Sequence, residues 1–144
     1  MTHITVWTIG HSNRSVQELV SLLKEHGVTL LCDVRSFPTS KVEHFKRERM
    51  EDWLPKAGIR YVWLGESLGG YRPGGYLNWM KTEKFKQGMR HLLGLAEEDN
   101  VCVMCMEVNP KCCHRRHISR QLQQLGARVT HIIGRGQTRS SQSL

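Results

Sequence analysis

Strand patterns alternate with helix patterns along almost the whole chain. Between successive strand segments, apolar residues recur at helical spacing, and Ser15 with Glu18 forms a capping box that predicts the start of the first helix. Parallel neighbouring strands need long crossover connections, which helices provide. The pattern therefore predicts a single-domain, three-layer α/β fold, Rossmann-like or flavodoxin-like, around a mainly parallel five-stranded sheet. The predicted strands are residues 3–9, 28–34, 59–64, 101–106 and 128–133.

The fourth strand segment, residues 101–106, is apolar without interruption. A strand that is buried on both faces needs no polar alternation, so this segment is predicted to lie centrally in the sheet. A long helix is predicted over residues 82–98. The helix after the fourth strand is predicted to begin at Asn109 and Pro110, because these residues are typical of an N-cap and a first helical position.

The length and composition favour one domain outside a membrane. A chain of 144 residues with 39% hydrophobic residues fits a single domain, predicted over residues 1–134. Residues 135–144 lack apolar side chains that would pack, and they are predicted to form a mobile basic tail. No segment approaches the roughly 18 apolar residues needed to span a bilayer, and there is no basic leader. Five cysteines without a regular framework favour a reducing compartment, so a cytoplasmic protein is expected.

The chain is strongly basic. It has 21 Lys and Arg residues against 13 Asp and Glu residues, which gives a formal net charge of +8. Such an excess attracts anions, so an anionic small molecule or a nucleic acid is the expected partner. The alternative interpretation is that the basic segments are only solvated faces of the molecule.

Polar residues follow each of the first four predicted strands. Because the carboxyl ends of parallel strands open on one edge of a sheet, groups that are distant in sequence are expected to meet there in one crevice. The four segments are Gly10-His11-Ser12, Asp33-Val34-Arg35, the loop from Glu66, and Cys105-Met106-Glu107.

The first two of these segments suggest different roles. Backbone amides around Gly10 and Ser12 are candidates to cradle an oxyanion or phosphate, while His11 supplies a proton; the alternative is a tight turn with a capping serine. Asp33 and Arg35 are candidates to bind a polar substrate, with Asp33 orienting His11 or acting as a base. A purely structural ion pair is the alternative interpretation.

Residues 65–75 contain five of the 13 glycines. An ATP-type phosphate loop is rejected, because Tyr71 and Arg72 stand where that motif requires Lys and Ser or Thr. A flexible lid that carries Tyr71, Arg72 and Tyr76 is one hypothesis, with Gly69 and Gly70 contacting substrate. A plain surface loop is the other.

The region after the fourth strand holds the candidate nucleophiles. Cys113 is predicted in the first turn of a helix, where the helix dipole and Arg115 favour the thiolate; Arg115 is also a candidate for binding negative charge. Cys105 is the second candidate, with a small buried hydrophobe as its alternative interpretation. Glu107 is a candidate acid, base or hydrogen-bond acceptor, and His114 is either a proton-transfer partner or a packed histidine.

Metal binding is the main chemical rival. Cys105, Cys113, His114 and His117 include suitable ligands, but the paired Cys-x2-Cys units of common structural zinc sites are absent from the sequence. Neither a metal nor another cofactor is therefore predicted, although a metal site stays open as an alternative.

Four motifs occur together in this chain, namely Thr8-Ile-Gly-His-Ser12, Asp33-Val-Arg-Ser-Phe-Pro38 with Ser40, Leu68-Gly-Gly70, and Cys105-x-Glu107 followed by Cys113-His-Arg115. In this set of motifs the chain resembles the domain of unknown function 488 family over nearly its whole length. The resemblance implies a compact α/β domain but no known reaction. The polar site that it implies consists of His11, Asp33, Arg35, Cys105, Glu107, Cys113, His114 and Arg115.

These observations favour a thiol-dependent hydrolase or group-transfer enzyme that acts on an anionic substrate, with a nucleotide or a nucleic acid as candidates. Cys105 or Cys113 is expected to attack, and His11 or His114 to move protons. A noncatalytic nucleic-acid-binding module and a metal-binding α/β protein are the alternatives. The sequence leaves the oligomeric state open.

Overall fold

The computed structural model describes residues 4–109 and 114–140. In this part of the chain the strands form a single mixed sheet in the order β3-β2-β4-β1-β5-β6, parallel except for the β5–β6 pair. The strands are β1 (Thr5–Gly10), β2 (Leu30–Asp33), β3 (Arg60–Trp63), β4 (Val101–Cys105), β5 (Arg128–Gly134) and β6 (Gln137–Ser140). The helices are α1 (Val16–Glu25), α2 (Arg47–Lys56), α3 (Gly65–Leu68), α4 (Tyr76–Trp79), α5 (Glu83–Glu98) and α6 (Arg115–Gln124), with a short 3-10 turn at Glu43–Phe45.

The predicted α/β class and the central position of β4 are confirmed. All five residues of β4 are buried, and the strand lies between β2 and β1. In both the Rossmann and the flavodoxin strand orders β1 lies beside β2, whereas here β4 separates them. The sheet therefore follows the general α/β plan with a different strand order.

The expected number of five strands is wrong, because the described residues contain a sixth strand. It lies inside the segment expected to be a tail and pairs antiparallel with β5. All four side chains of β6 are exposed. An edge strand is held by backbone hydrogen bonds to its one neighbour, so it needs no apolar side chains and leaves no hydrophobic pattern in the sequence.

The ends of two helices illustrate what local sequence determines. Thr82 caps α5 by accepting a hydrogen bond from the amide of Phe85 at 3.2 Å. The helix predicted to begin at Asn109 and Pro110 instead begins at Arg115, with His114 in the N-cap position. Pro110 and Cys113 lie outside the described residues, and so does the prediction that Cys113 belongs to the first helical turn.

Helices cover both faces of the sheet. Leu30 and Leu31 point to opposite faces because they are consecutive strand residues; Leu31 belongs to the cluster that includes α1 and α2, and Leu30 to the cluster that includes α5 and α6. The chain therefore leaves β1 and β2 toward one face and β3 and β4 toward the other. Such divergence opens a crevice at the carboxyl edge of the sheet. No helix in the described part of the chain is long and apolar enough to cross a lipid bilayer.

Candidate active site

A cleft of about 370 Å³ opens at the carboxyl edge of the sheet. Residues that follow β1, β2, β3 and β4 all contribute to it, as does the N-cap of α6. Five of the predicted site residues line this cleft, namely His11, Arg35, Gly70, Tyr71 and His114. The other lining residues are Ser36, Phe37, Thr39 and Met106.

Asp33 and Arg35 form a buried ion pair behind the cleft. The Asp33 carboxylate accepts hydrogen bonds from Nε of Arg35 at 2.8 Å, from Nη2 at 2.7 Å and from the Arg35 amide at 3.1 Å. Asp33 is 0% exposed and Arg35 is 6% exposed. Although burial opposes the charge, the hydrogen bonds to Asp33 raise the pKa of Arg35. The positive charge at this end of the cleft is therefore already compensated.

The other hydrogen atoms of Arg35 also have partners. Nη1 donates to the carbonyl oxygens of Phe45 at 2.8 Å and Thr39 at 3.2 Å, and Nη2 contacts the sulfur of Met50 at 3.6 Å. The Tyr61 hydroxyl completes the network by donating to Oδ2 of Asp33 at 2.6 Å. Burial, followed by the charge of Asp33, raises the pKa of Tyr61, so its phenol remains a donor. Arg35 thus orders the loop after β2, and its hydrogen atoms are occupied by protein groups.

His11 projects from the end of β1 in one defined tautomer. Its Nδ1 lies 2.8 Å from the carbonyl oxygen of Ser12, and a carbonyl can only accept, so Nδ1 carries the proton. Nε2 is then an acceptor, and Nη1 of Arg35 lies 3.4 Å from it. Burial lowers the pKa of His11 to about 4, and the charge of Arg35 acts in the same direction. The cleft therefore contains a neutral imidazole with a lone pair on Nε2.

His114 reaches the opposite side of the cleft with the other tautomer. Its Nε2 donates to the carbonyl oxygen of Val34 at 2.9 Å, which leaves Nδ1 as the acceptor. Burial lowers the pKa of His114. A Cβ added to Gly70 would lie 2.5 Å from Nδ1, so the imidazole packs directly against the Gly70 backbone. The geometry requires glycine at position 70 for this close approach.

The backbone of the Gly10-His11-Ser12 segment is used by the sheet. The amides of His11 and Ser12 donate to the carbonyl oxygens of Cys105 at 2.9 Å and Met106 at 2.8 Å. These two amides are therefore unavailable as the anion cradle that the sequence suggested. Gly10 is required because a Cβ there would overlap the carbonyl oxygen of Glu107. Ser12 adopts a positive φ of 43°, which is uncommon for a residue other than glycine.

The glycine-rich segment is organised by its own side chains. The guanidinium of Arg72 donates to the carbonyl oxygens of Gly69, Gly65 and Glu66 and lies 3.8 Å from the ring centroid of Trp79. Arg72 and Gly69 are not among the lining residues, whereas Gly70 and Tyr71 are. Tyr71 is tied to the loop after β2, since its amide donates to Oγ of Ser36 at 3.0 Å.

The segment after β4 places its candidates behind the cleft. Cys105 is 2% exposed, and its Sγ contacts the carbonyl oxygen of Glu107 at 3.9 Å. Arg115 is fully buried and donates from Nη2 to the carbonyl oxygens of Glu107 at 2.9 Å and Val108 at 3.0 Å. Cys105, Glu107 and Arg115 do not line the cleft. Cys113, the other candidate nucleophile, lies outside the described residues.

The candidate metal ligands are not gathered into a metal site in the described part of the chain. Within residues 4–109 and 114–140, no three His, Cys, Asp or Glu side chains are grouped so that they could hold a metal ion. His114 and His117 both pack against the Tyr76 ring, with centroid distances of 5.5 Å in each case.

Sequence reasoning missed several residues that shape the cleft. Ser36, Phe37 and Thr39 follow directly on Arg35, and Met106 stands between Cys105 and Glu107. Their positions just after strand ends were the available signal. Their side chains are neither acids, bases nor thiols, so the search for catalytic groups did not select them. Tyr61 was missed because its role depends on the pairing of β3 with β2, which places it beside Asp33.

Comparison with known proteins identifies a family. A family model described as "Domain of unknown function DUF488" matches residues 15–75 and 73–122. No curated protein matches the chain, and no solved structure matches it. Because the family model matches more than half of the chain, the protein belongs to the DUF488 family.

Proposed function

We propose that this protein is a hydrolase or group-transfer enzyme that uses a histidine as its base and a thiol as its nucleophile in the cleft. The observation that carries the proposal is the pair of imidazoles, His11 and His114, which approach the cleft from different elements. Each donates one ring proton to a backbone carbonyl and keeps the other ring nitrogen as an acceptor. Burial keeps both rings neutral, and a neutral imidazole is the usual proton acceptor in such reactions.

The nucleophile that we assign is Cys113. Cys105 is 2% exposed and does not line the cleft, so it is poorly placed to attack a bound substrate. Cys113 directly precedes His114 in the sequence, and His114 does line the cleft. In the proposed step the sulfur forms a bond to the electrophilic centre while its proton passes to the imidazole. The imidazolium then protonates the leaving group, and water or an acceptor takes the bound group from sulfur.

An anionic substrate is part of the proposal. It is supported by the formal net charge of +8. Arg35 does not by itself support it, because its charge is paired with Asp33. We therefore assign Arg35 to holding the loop and His11 in place.

The first test uses thiol alkylation, which needs no known substrate. The rate of iodoacetamide modification at Cys113 is followed against pH by peptide mass spectrometry in the wild type, His114→Asn and His11→Asn. Because a neutral imidazole accepts the thiol proton during attack, the proposal expects Cys113 to be alkylated faster at pH 7 than a solution thiol with a pKa of about 8.5. That rate should fall in His114→Asn. A rate at pH 7 like that of a solution thiol, unchanged by both substitutions, would overturn the thiol mechanism.

The second test uses chromogenic esters, namely p-nitrophenyl acetate, p-nitrophenyl phosphate and bis(p-nitrophenyl) phosphate. Turnover of at least one of these probes is expected, with a loss on the order of 100-fold or more in Cys113→Ser. Cys112→Ser is the matched control and should retain turnover. Equal turnover in both serine variants would contradict the assignment of Cys113.

The competing candidate is a noncatalytic nucleic-acid-binding module. The exposure of Phe37 and Tyr71 at the cleft favours it, because exposed aromatic rings stack on unpaired bases. It expects salt-dependent binding of nucleic acid together with no turnover by any variant.

A further inference from the structure

Exposed apolar side chains are concentrated around the cleft. In the described part of the chain, five large hydrophobic residues are exposed, and three of them, Phe37, Tyr71 and Met106, line the cleft. We call these three residues the apolar rim. The remaining two are Leu77 and Leu125, which lie elsewhere. An apolar surface gathered at one concave site marks a ligand-binding site, because water contact with such a surface is unfavourable.

The rim is assembled from three separate loops. Phe37 follows β2, Tyr71 lies between α3 and α4, and Met106 follows β4. Phe37 is 65% exposed and Tyr71 is 77% exposed. Their ring centroids are 5.8 Å apart at an interplanar angle of 55°, so the two rings do not cover each other by stacking. Each ring therefore keeps a face that a planar ligand can contact.

The other lining residues indicate what kind of planar group would bind. Ser36 and Thr39 carry hydroxyls, and His11 and His114 carry ring nitrogens. These groups donate to and accept from polar atoms on the edge of a heterocycle, whereas a hydrocarbon ring would leave them without a match. The volume of about 370 Å³ is in the range of small-ligand sites.

From these observations we propose that the substrate carries a heterocyclic nucleobase, which stacks on the Phe37 and Tyr71 rings of the apolar rim. The proposal rests on the cleft being the substrate site of the proposed function and names the substrate class. Two exposed cations that neighbour lining residues in the sequence are the candidates to contact the phosphate of such a ligand. Lys41 and Arg116 each stand two positions from a lining residue, Thr39 and His114 respectively, and neither belongs to an ion pair of the described residues.

The base can belong to a free nucleotide or to an unpaired position in a single strand. Binding of the four nucleoside 5′-monophosphates is measured by calorimetry, and binding of a fluorescein-labelled oligodeoxythymidylate by anisotropy. Ribose 5-phosphate, which has the phosphate but no base, is the ligand control. Tighter binding of the mononucleotides identifies the free nucleotide as the source, and tighter binding of the oligonucleotide identifies the single strand.

The protein variants separate stacking from other effects. Phe37→Ala and Tyr71→Ala should each weaken binding roughly 5- to 100-fold, the range that stacking of one base accounts for. Tyr71→Phe retains the ring and should bind like the wild type. Leu77→Ala is the matched control, since Leu77 is 65% exposed, like Phe37, and lies outside the cleft. All of these side chains are exposed, so the variants should keep their melting temperature.

The results discriminate between this inference and the proposed function. Ribose 5-phosphate binding as tightly as the nucleotides, or equal losses in the Phe37→Ala and Leu77→Ala proteins, would overturn base stacking. If the chromogenic esters were still turned over in that case, the proposed enzymatic function would stand and only the base-stacking inference would fail. Base binding that depends on Phe37 and Tyr71 supports the inference even if the wild-type protein turns over none of the chromogenic esters.

Discussion

Arg35 holds Asp33 in a bidentate ion pair, with Nε 2.8 Å from Oδ1 and Nη2 2.7 Å from Oδ2. Neither side chain has appreciable contact with solvent. Two charges buried in this way stabilise the fold only while they remain together, because each one alone would be strongly unfavourable. The pair also determines where the loop after β2 runs, and this loop carries Ser36, Phe37 and Thr39.

We predict that Asp33→Asn destabilises the protein severely. The substitution keeps the size of the side chain but leaves the Arg35 charge buried without a counter-ion, so the free energy of unfolding should fall by about 3–5 kcal/mol. Urea denaturation followed by circular dichroism measures the change. Lys56→Gln, which breaks the exposed pair with Asp52, is the control and should change the free energy of unfolding by less than about 1 kcal/mol. Similar values for both variants would contradict the structural role of Asp33.

Tyr61→Phe should have an intermediate effect. It removes a single hydroxyl that donates to Asp33 over 2.6 Å. Hydrogen bonds to charged groups contribute roughly 1.5–3 kcal/mol, so a loss of that size is expected. The double variant with Asp33→Asn should lose less than the sum of the single variants, since the two side chains share one network. Strict additivity in urea denaturation would show that the two act independently.

Gly70→Ala should disturb the candidate site without unfolding the protein. The new methyl group would stand 2.5 Å from Nδ1 of His114 and displace the ring, and a displacement of about 1 Å lowers turnover on the order of 100-fold. The ring signals of His114 in NMR spectra should shift, while those of His131, which lies on β5 and is not among the residues next to Gly70, should stay. Gly94→Ala is the control, because a Cβ at this position of α5 meets open space; it should stabilise the helix by roughly 0.5–1 kcal/mol. Unchanged His114 signals in Gly70→Ala would contradict the packing.

Stability should decrease as the pH falls from about 6.5 to 4. Burial lowers the pKa values of both His11 and His131 to about 4, below the value of about 6.5 for an unfolded histidine. Between these values the unfolded chain binds more protons than the folded one, so the contribution of each histidine is complete above pH 6.5 and is lost toward pH 4. The loss is about 3 kcal/mol for each histidine, because one pKa unit corresponds to about 1.4 kcal/mol.

Denaturant titrations at several pH values measure this dependence. His131→Gln should remove part of the decrease, because His11 and His114 also have lowered pKa values. Leu77→Ala, which changes an exposed side chain that carries no proton, should leave the decrease unchanged. An identical pH dependence in wild type and His131→Gln would rule out the contribution of His131.

The sheet was largely predictable because its strands carry their own signal. The apolar run of β4 predicted a buried central strand, and the helix predicted over residues 82–98 matches α5, which spans Glu83–Glu98. The strand order was not predictable, since it depends on which face each crossover covers, and that is decided by packing between residues far apart in sequence. β6 was missed because its stabilisation comes from backbone pairing with β5, to which its exposed side chains add no pattern.

The candidate site was predictable in its location and less so in its chemistry. The rule that strand ends converge brought His11, Arg35 and His114 to one cleft. It did not reveal that the amides of His11 and Ser12 are already bonded, because backbone pairing has no side-chain signature. The exposure of Phe37 and Met106 was also hidden, since an apolar residue in a sequence looks the same whether it is buried or exposed.

The hydrogen bonds from the His11 and Ser12 amides to the carbonyls of Cys105 and Met106 continue the β1–β4 ladder past the ends of both strands. This side of the cleft is consequently built on the hydrogen bonds of the sheet, and we expect His11 to keep its place when a ligand binds. Tyr71, in contrast, is tethered to Ser36 by one hydrogen bond. Relatives that accommodate ligands of different sizes would thus be expected to vary at the Tyr71 side and to preserve the His11 side.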